Sequence, residues 1–165
     1  MIEYRTKYFG NIFIDETGEF ESIDLKYKDK EIRISLYKCN VFGNKSKNCL
    51  EMIDKYIEIN EIAKKAILEN YSKNKIIEDY FRDHFEDYSF EEEKIVEIFG
   101  VNTFSDFNAK KTIEELEYPN LLFSMEENNE IKISVDYQVS KKYSDEILCV
   151  KIDEKLNIIE FTHES

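Results

Sequence analysis

LLFSMEENNEIKISVDYQVSKKYSDEILCVKIDEKLNIIEF, residues 121–161, keeps an apolar period of two almost throughout. Leu121, Phe123 and Met125 alternate with their neighbours, as do Ile131, Ile133, Val135, Tyr137 and Val139, then Leu148, Val150 and Ile152, and an apolar run closes at 158–161. A strand sends successive side chains to opposite faces, so this spacing predicts strands with one buried and one wetter face. Asn128-Asn129 and the segment 153–157 bring turn-forming residues between them. Four strands joined by short connections predict an antiparallel meander.

The N-terminal third has the same period. Residues 12–14 are followed by Asp15-Glu16-Thr17-Gly18, in which Gly18 suits a left-handed turn position, and then by the sets Ile23, Leu25, Tyr27 and Ile32, Ile34, Leu36. Three antiparallel strands are expected there. From Cys39 to Asn48 the Gly, Asn, Ser and Lys content marks a loop, after which the period becomes 3.6. Ile53, Tyr56, Ile57, Ala63, Ile67 and Tyr71 then form a stripe on a helix over about residues 50–71. A second helix is expected over about 75–88, with Ile76, Ile77, Tyr80, Phe81, His84, Phe85 and Tyr88 on one half of the wheel and Asp79, Asp83 and Glu86 opposite. Ser89 with Glu92 reads as a capping box for a third helix ended by Gly100, and Thr112 with Glu115 repeats the signature for a helical turn before Pro119. The order predicts an α+β fold. An antiparallel sheet of three N-terminal and four C-terminal strands carries about three helices on one face, within a single domain over residues 1–165.

A chain of 165 residues with 42% hydrophobic residues, Phe and Tyr prominent among them, can bury a core without disulfides or metal and is unlike a disordered chain. No signal-peptide-like run opens it and none approaches a membrane span, so a cytoplasmic protein is expected. Cys39, Cys49 and Cys149 are odd in number and lack CxxC spacing, which fits reduced thiols; Cys149 falls in an apolar strand pattern and reads as a buried structural cysteine.

Charge is distributed unevenly. Residues 76–97 hold nine acids against two bases, whereas residues 1–47 hold eight acids and nine bases. Such a surface repels nucleic acid and anionic membrane and attracts basic partners. Aromatic residues interleave with the acids, as in interfaces that combine an aromatic anchor with charge. The expected partner-binding residues are therefore Asp79, Tyr80, Asp83, Glu86, Asp87, Phe90, Glu91, Glu92 and Glu93, with Tyr80 and Phe90 as the exposed rings. The plainer reading is a solvated helix face that keeps the domain soluble. No nucleophile elbow, phosphate loop or metal-ligand spacing is present, so no catalytic residue, metal or cofactor is expected. Two alternatives stay open: a small enzyme with a cryptic site around His84, which otherwise reads as a core histidine, and an oligomerising module that uses a free sheet edge.

Tyr8-Phe9-Gly10-Asn11-Ile12, Ile32-Arg33-Ile34-Ser35-Leu36, and the ending from Asp145-Glu146-Ile147-Leu148-Cys149-Val150-Lys151-Ile152-Asp153 to His163-Glu164-Ser165 resemble the bacterial domain-of-unknown-function family numbered two-thousand-and-four. Its members open with a YFG-type hairpin and close with a strand, an acidic turn and a terminal "ES". The resemblance implies an immunity-like protein that binds and neutralises a toxin, and it brings no catalytic residues. A cationic toxin domain is the sort of partner an acidic surface steers in.

Overall fold

Six strands lie side by side in the order in which the chain makes them, in the computed structural model of the protein. It describes residues 1–15, 19–39, 44–89, 91–116, 118–128 and 130–165, with the backbone alone for 44–48. A hairpin of β1 (Ile2–Thr6) and β2 (Gly10–Ile14) stands apart as a two-stranded sheet. β3 (Phe20–Tyr27) and β4 (Lys30–Tyr37) open the main sheet. The helices α1 (Asn44–Ile53), α2 (Tyr56–Asn70), α3 (Lys75–Asp87), α4 (Glu92–Phe99) and α5 (Ala109–Glu115), with a 3-10 turn at Phe104–Asp106, then lead to β5 (Asn120–Met125), β6 (Ile131–Tyr137), β7 (Ile147–Asp153) and β8 (Ile158–Glu164).

The meander over β5 to β8 is antiparallel as its period implies. β4 and β5, however, pair in parallel, which corrects the all-antiparallel expectation. Parallel neighbours need a long crossover, and among the described residues all the helices lie within that connection. In register, Ile23, Ile34, Leu121, Val135, Val150 and Phe161 form one apolar row across all six strands. Leu36, Phe123, Ile133, Ile152 and Ile158 form a second. These rows share a face because side chains two apart on a strand point the same way, and on β8, where Ile158 and Phe161 are three apart, a register shift at Lys151/Ile152 makes up the difference. α2 packs against β6 and α3 against β8. Tyr137 Oη donates to Asn60 Oδ1 at 2.7 Å and Tyr56 Oη to the Pro119 carbonyl at 2.8 Å, so the large phenols of the core have their hydroxyls satisfied. On the opposite face Ser134, Asp136 and Lys151 are half-buried, around the buried Cys149.

Four N-terminal strands replace the three expected, because 2–6 also alternate and pair with 10–14. The helix expected over 50–71 is two, and it starts earlier, at Asn44. At the break Asp54 turns to the first hairpin, where its carboxylate accepts the Lys7 amide at 2.6 Å and the Tyr4 hydroxyl at 3.0 Å. Neither capping box forms. Glu91 takes the N-cap position of α4 without a side-chain cap bond and pairs with Lys94 at 2.6 Å, while Glu92 accepts from Asn102. Asn108 caps α5 through Lys111 N, which places Thr112 inside the helix. Gly100 ends α4 in the left-handed region at φ 70°, as expected. Ile76 is exposed in the first turn of α3 rather than packed. Residues 16–18 and 129 of the expected turns, and 40–43 of the expected loop, lie outside the described residues. Among the described residues, no helix is long and apolar enough to cross a membrane.

Candidate functional site

α3 begins at Asn74, whose side chain accepts the Ile76 amide at 2.9 Å. From that start the 3.6 period turns Ile77, Tyr80, Phe81, His84 and Phe85 inward. Its other side carries acids: Asp79 and Asp83 are half-buried, and Glu86 and Asp87 are exposed, as are Glu91, Glu92 and Glu93 at the start of α4. Some are neutralised locally, because Arg82 pairs with Glu78 and Asp79, Lys75 with Asp79, Lys94 with Glu91, and Lys142 with Glu97. Among the described residues no ion pair reaches Asp83, Glu86, Asp87 or Glu93.

Tyr80 is not an exposed ring. It is fully buried, packed edge-on against Phe81, His84 and His163, and its hydroxyl accepts the Val139 amide at 3.1 Å. A phenol whose polar tip is satisfied inside has no need to reach water, and burial pushes its pKa up. Phe90 lies outside the described residues. The aromatic surface beside this face comes from the half-buried Phe104, which with the buried Phe85 and Ile95 lines a groove of 470 Å³ whose rim includes Arg82 and Glu86. Phe85 stacks on Phe99 with centroids 4.2 Å apart and meets Phe104 edge-on, while the Arg82 guanidinium sits 5.6 Å over the Phe104 ring. Beside it, Glu91, Glu92, Glu93, Lys94, Glu97 and Tyr143 line an acidic cleft of 410 Å³. Tyr143 donates to Glu97 at 2.5 Å, and this bond, with Lys142, holds the Glu97 carboxyl below its ordinary value.

The buried side of α3 holds a second polar constellation. His84, 1% exposed, places Nδ1 2.7 Å from the Tyr80 carbonyl and Nε2 2.8 Å from Ser144 Oγ. A carbonyl can only accept, so Nδ1 carries the proton and Nε2 offers its lone pair to the Ser144 hydroxyl. Ser144 Oγ in turn accepts the Glu146 amide at 3.1 Å. Glu146 Oε2 lies 2.8 Å from His163 Nε2 and 3.8 Å from His84 Nδ1. The array is a hydroxyl beside an oriented base, the minimum of a nucleophile pair. It also ties residues 144–146 to α3, which is what a structural histidine does. Ser144 and Glu146 reach His84, and His163 reaches Glu146, only through the fold; Ser144 lies 60 positions along the chain from His84. Sequence period placed His84 inward and carried no sign of these partners. Among the described residues, no group of three or more His, Cys, Asp or Glu is placed to hold a metal ion.

The chain matches no protein-family model, no curated protein and no solved structure.

Proposed function

We propose that the protein is a binding protein of the immunity type, which presents the acidic face of α3 and α4 to a basic protein partner such as a toxin domain. The observation that carries this reading is the set Asp83, Glu86, Asp87 and Glu93, which lacks countercharges among the described residues and lies on the two helices that flank an aromatic groove. Unpaired surface carboxylates raise the encounter rate with a cation-rich partner, and a desolvated aromatic floor slows its release. In this reading the half-buried Phe104, backed by the buried Phe85, takes the anchoring part expected of Tyr80, and the acidic cleft beside Tyr143 receives a lysine or arginine of the partner. The test is retention of proteins from the native lysate on the immobilised chain at low and high salt. A basic protein held at low salt by the native chain, and not by a variant with Asp83, Glu86, Asp87 and Glu93 changed to Lys, supports the reading; equal retention by both sinks it.

The 2.8 Å contact between His84 Nε2 and Ser144 Oγ favours a second reading, a small serine hydrolase. A fluorophosphonate probe that labels Ser144 in the native chain, but not after His84→Gln, would support it. No labelling of Ser144 would leave the pair as a tie between α3 and the 140–146 segment.

A further inference from the structure

Cys39 and Cys49 stand ten positions apart, beyond any short redox spacing, yet the fold brings their sulphurs to 2.9 Å. Cys39 follows β4 after Lys38, whose positive φ of 51° turns the chain out of the sheet. Cys49 lies in α1. Both side chains belong to the core, at 4% and 1% exposure, and Cys39 Sγ also lies 3.4 Å from the Phe123 carbonyl on β5. A disulfide needs an S–S length of about 2.05 Å, so closure requires the sulphurs to approach by less than about 1 Å. Cys149 is placed differently. Its neighbours Leu148 and Val150 enter the core, which puts Cys149 on the other face of the sheet, opposite Asp136 across the β6–β7 pair. Burial and the Asp136 carboxylate push its thiol up to about 12.

We propose that Cys39 and Cys49 are an oxidation site, a dithiol that a small peroxide closes into an internal disulfide while Cys149 stays reduced. The two thiols differ in a way that orders the reaction. The Cys49 S–H donates to the Cys39 sulphur, which holds the Cys39 thiol below its ordinary value and raises that of Cys49. The Cys39 thiolate attacks a peroxide oxygen; the O–O bond breaks, Cys39 becomes a sulfenic acid and the second oxygen leaves as water after taking a proton. The Cys49 sulphur then attacks the sulfenic sulphur; the S–O bond breaks, the second water leaves and the S–S bond forms. Two thiols and one hydrogen peroxide give one disulfide and two waters, with two electrons passing from sulphur to oxygen. The bond fastens the end of β4 to α1, at the point where the sheet hands the chain to its helices.

The experiment uses the whole chain, reduced and freed of reductant, titrated with hydrogen peroxide and then denatured for thiol counting, intact mass and peptide mapping. Titratable thiols should fall from three to one, the mass should fall by two hydrogens, and a linked peptide should join Cys39 to Cys49. Dithiothreitol should restore all three thiols. The oxidised chain should melt several degrees higher than the reduced one, because the bridge removes freedom from the unfolded chain. In Cys49→Ser, dimedone should trap a sulfenic acid at Cys39; in Cys39→Ser, Cys49 should label far more slowly. Three thiols surviving a peroxide dose that fully oxidises the same chain in denaturant would overturn the proposal. So would a bridge that includes Cys149, or one that joins two chains. These outcomes need only the native chain, so a variant that fails to fold leaves the result decisive.

Discussion

Asp136 sits on the less covered face of the sheet, between Asn120 on β5 and Cys149 on β7. Burial raises its carboxyl above the ordinary 3.8; the Cys149 thiol and Lys151 pull the other way, and Glu164 adds to the rise. An acid raised in the folded state binds its proton more tightly there than in the unfolded chain, so this site favours folding at low pH. Its contribution is complete below 3.8 and is lost as pH climbs through the folded value. Asp136→Asn should therefore raise stability at pH 7, on the order of 1 kcal/mol, and remove this part of the pH dependence, as read by urea denaturation at pH 7 and pH 4.5. His84 gives the opposite kind of test. Truncation to Ala leaves the Ser144 hydroxyl and the Tyr80 carbonyl without their partner in a buried setting and should cost about 1 to 3 kcal/mol. A loss below about 0.5 kcal/mol would show that the ring is not part of the packing. That His84 points inward was legible from its phase on the helical wheel; that Tyr80 is wholly inside was not, because an arc drawn on a wheel does not say how far the next layer extends.

At the scale of elements, the turn between β7 and β8 shows how one side chain fixes a connection. Asp153 Oδ1 accepts the amides of Lys155 and Asn157 at 2.9 and 2.8 Å, its Oδ2 accepts Asn157 Nδ2, and Leu156 takes a φ of 67° between them. The Asn157 side chain leads in holding this carboxyl below 3.8. A lowered acid contributes stability that is present above 3.8 and lost as pH falls through the folded value, the reverse of Asp136. Asp153→Ala should cost about 1 to 2 kcal/mol at pH 7 and progressively less below pH 3.8, which denaturation across that range would show. The segment 153–157 was readable as a turn for this reason, since Asp and Asn bond their own backbone locally. The capping boxes at Ser89 and Thr112 were misread for a related reason. A Glu three residues on has other offers, and here Asn102 binds Glu92 and Lys111 pairs with Glu115. β1 is not legible because its alternation rests on two apolar residues alone, Ile2 and Tyr4, and the break at Asp54 because its cause, the first hairpin, is 47 residues away from it at Lys7.

For the molecule as a whole, the apolar periods carried the α+β class and the C-terminal meander, because each strand's buried face is written into its own residues. The parallel pairing of β4 with β5 was not legible, because period two is the same in either direction and the partner is chosen by the route of the crossover. The acidic surface was legible as composition, while the groove of Phe85, Ile95 and Phe104 beside it needed α3, α4 and the turn at Phe104–Asp106 in place. These two features act at different stages of binding, which makes the proposed function separable by kinetics. Reversal of Asp83, Glu86, Asp87 and Glu93 should slow association with a basic partner strongly at low salt and little near 1 M, where the screening length is about 3 Å. Stability should change little, since all four side chains lie outside the core. Phe104→Ala should leave the association rate and its salt slope near the native values and raise the dissociation rate, because an apolar floor acts only after water has been expelled. Surface plasmon resonance across a salt series reads both rates. Unchanged association and an unchanged salt slope in the fourfold reversal would reduce the acidic face to a solvated surface.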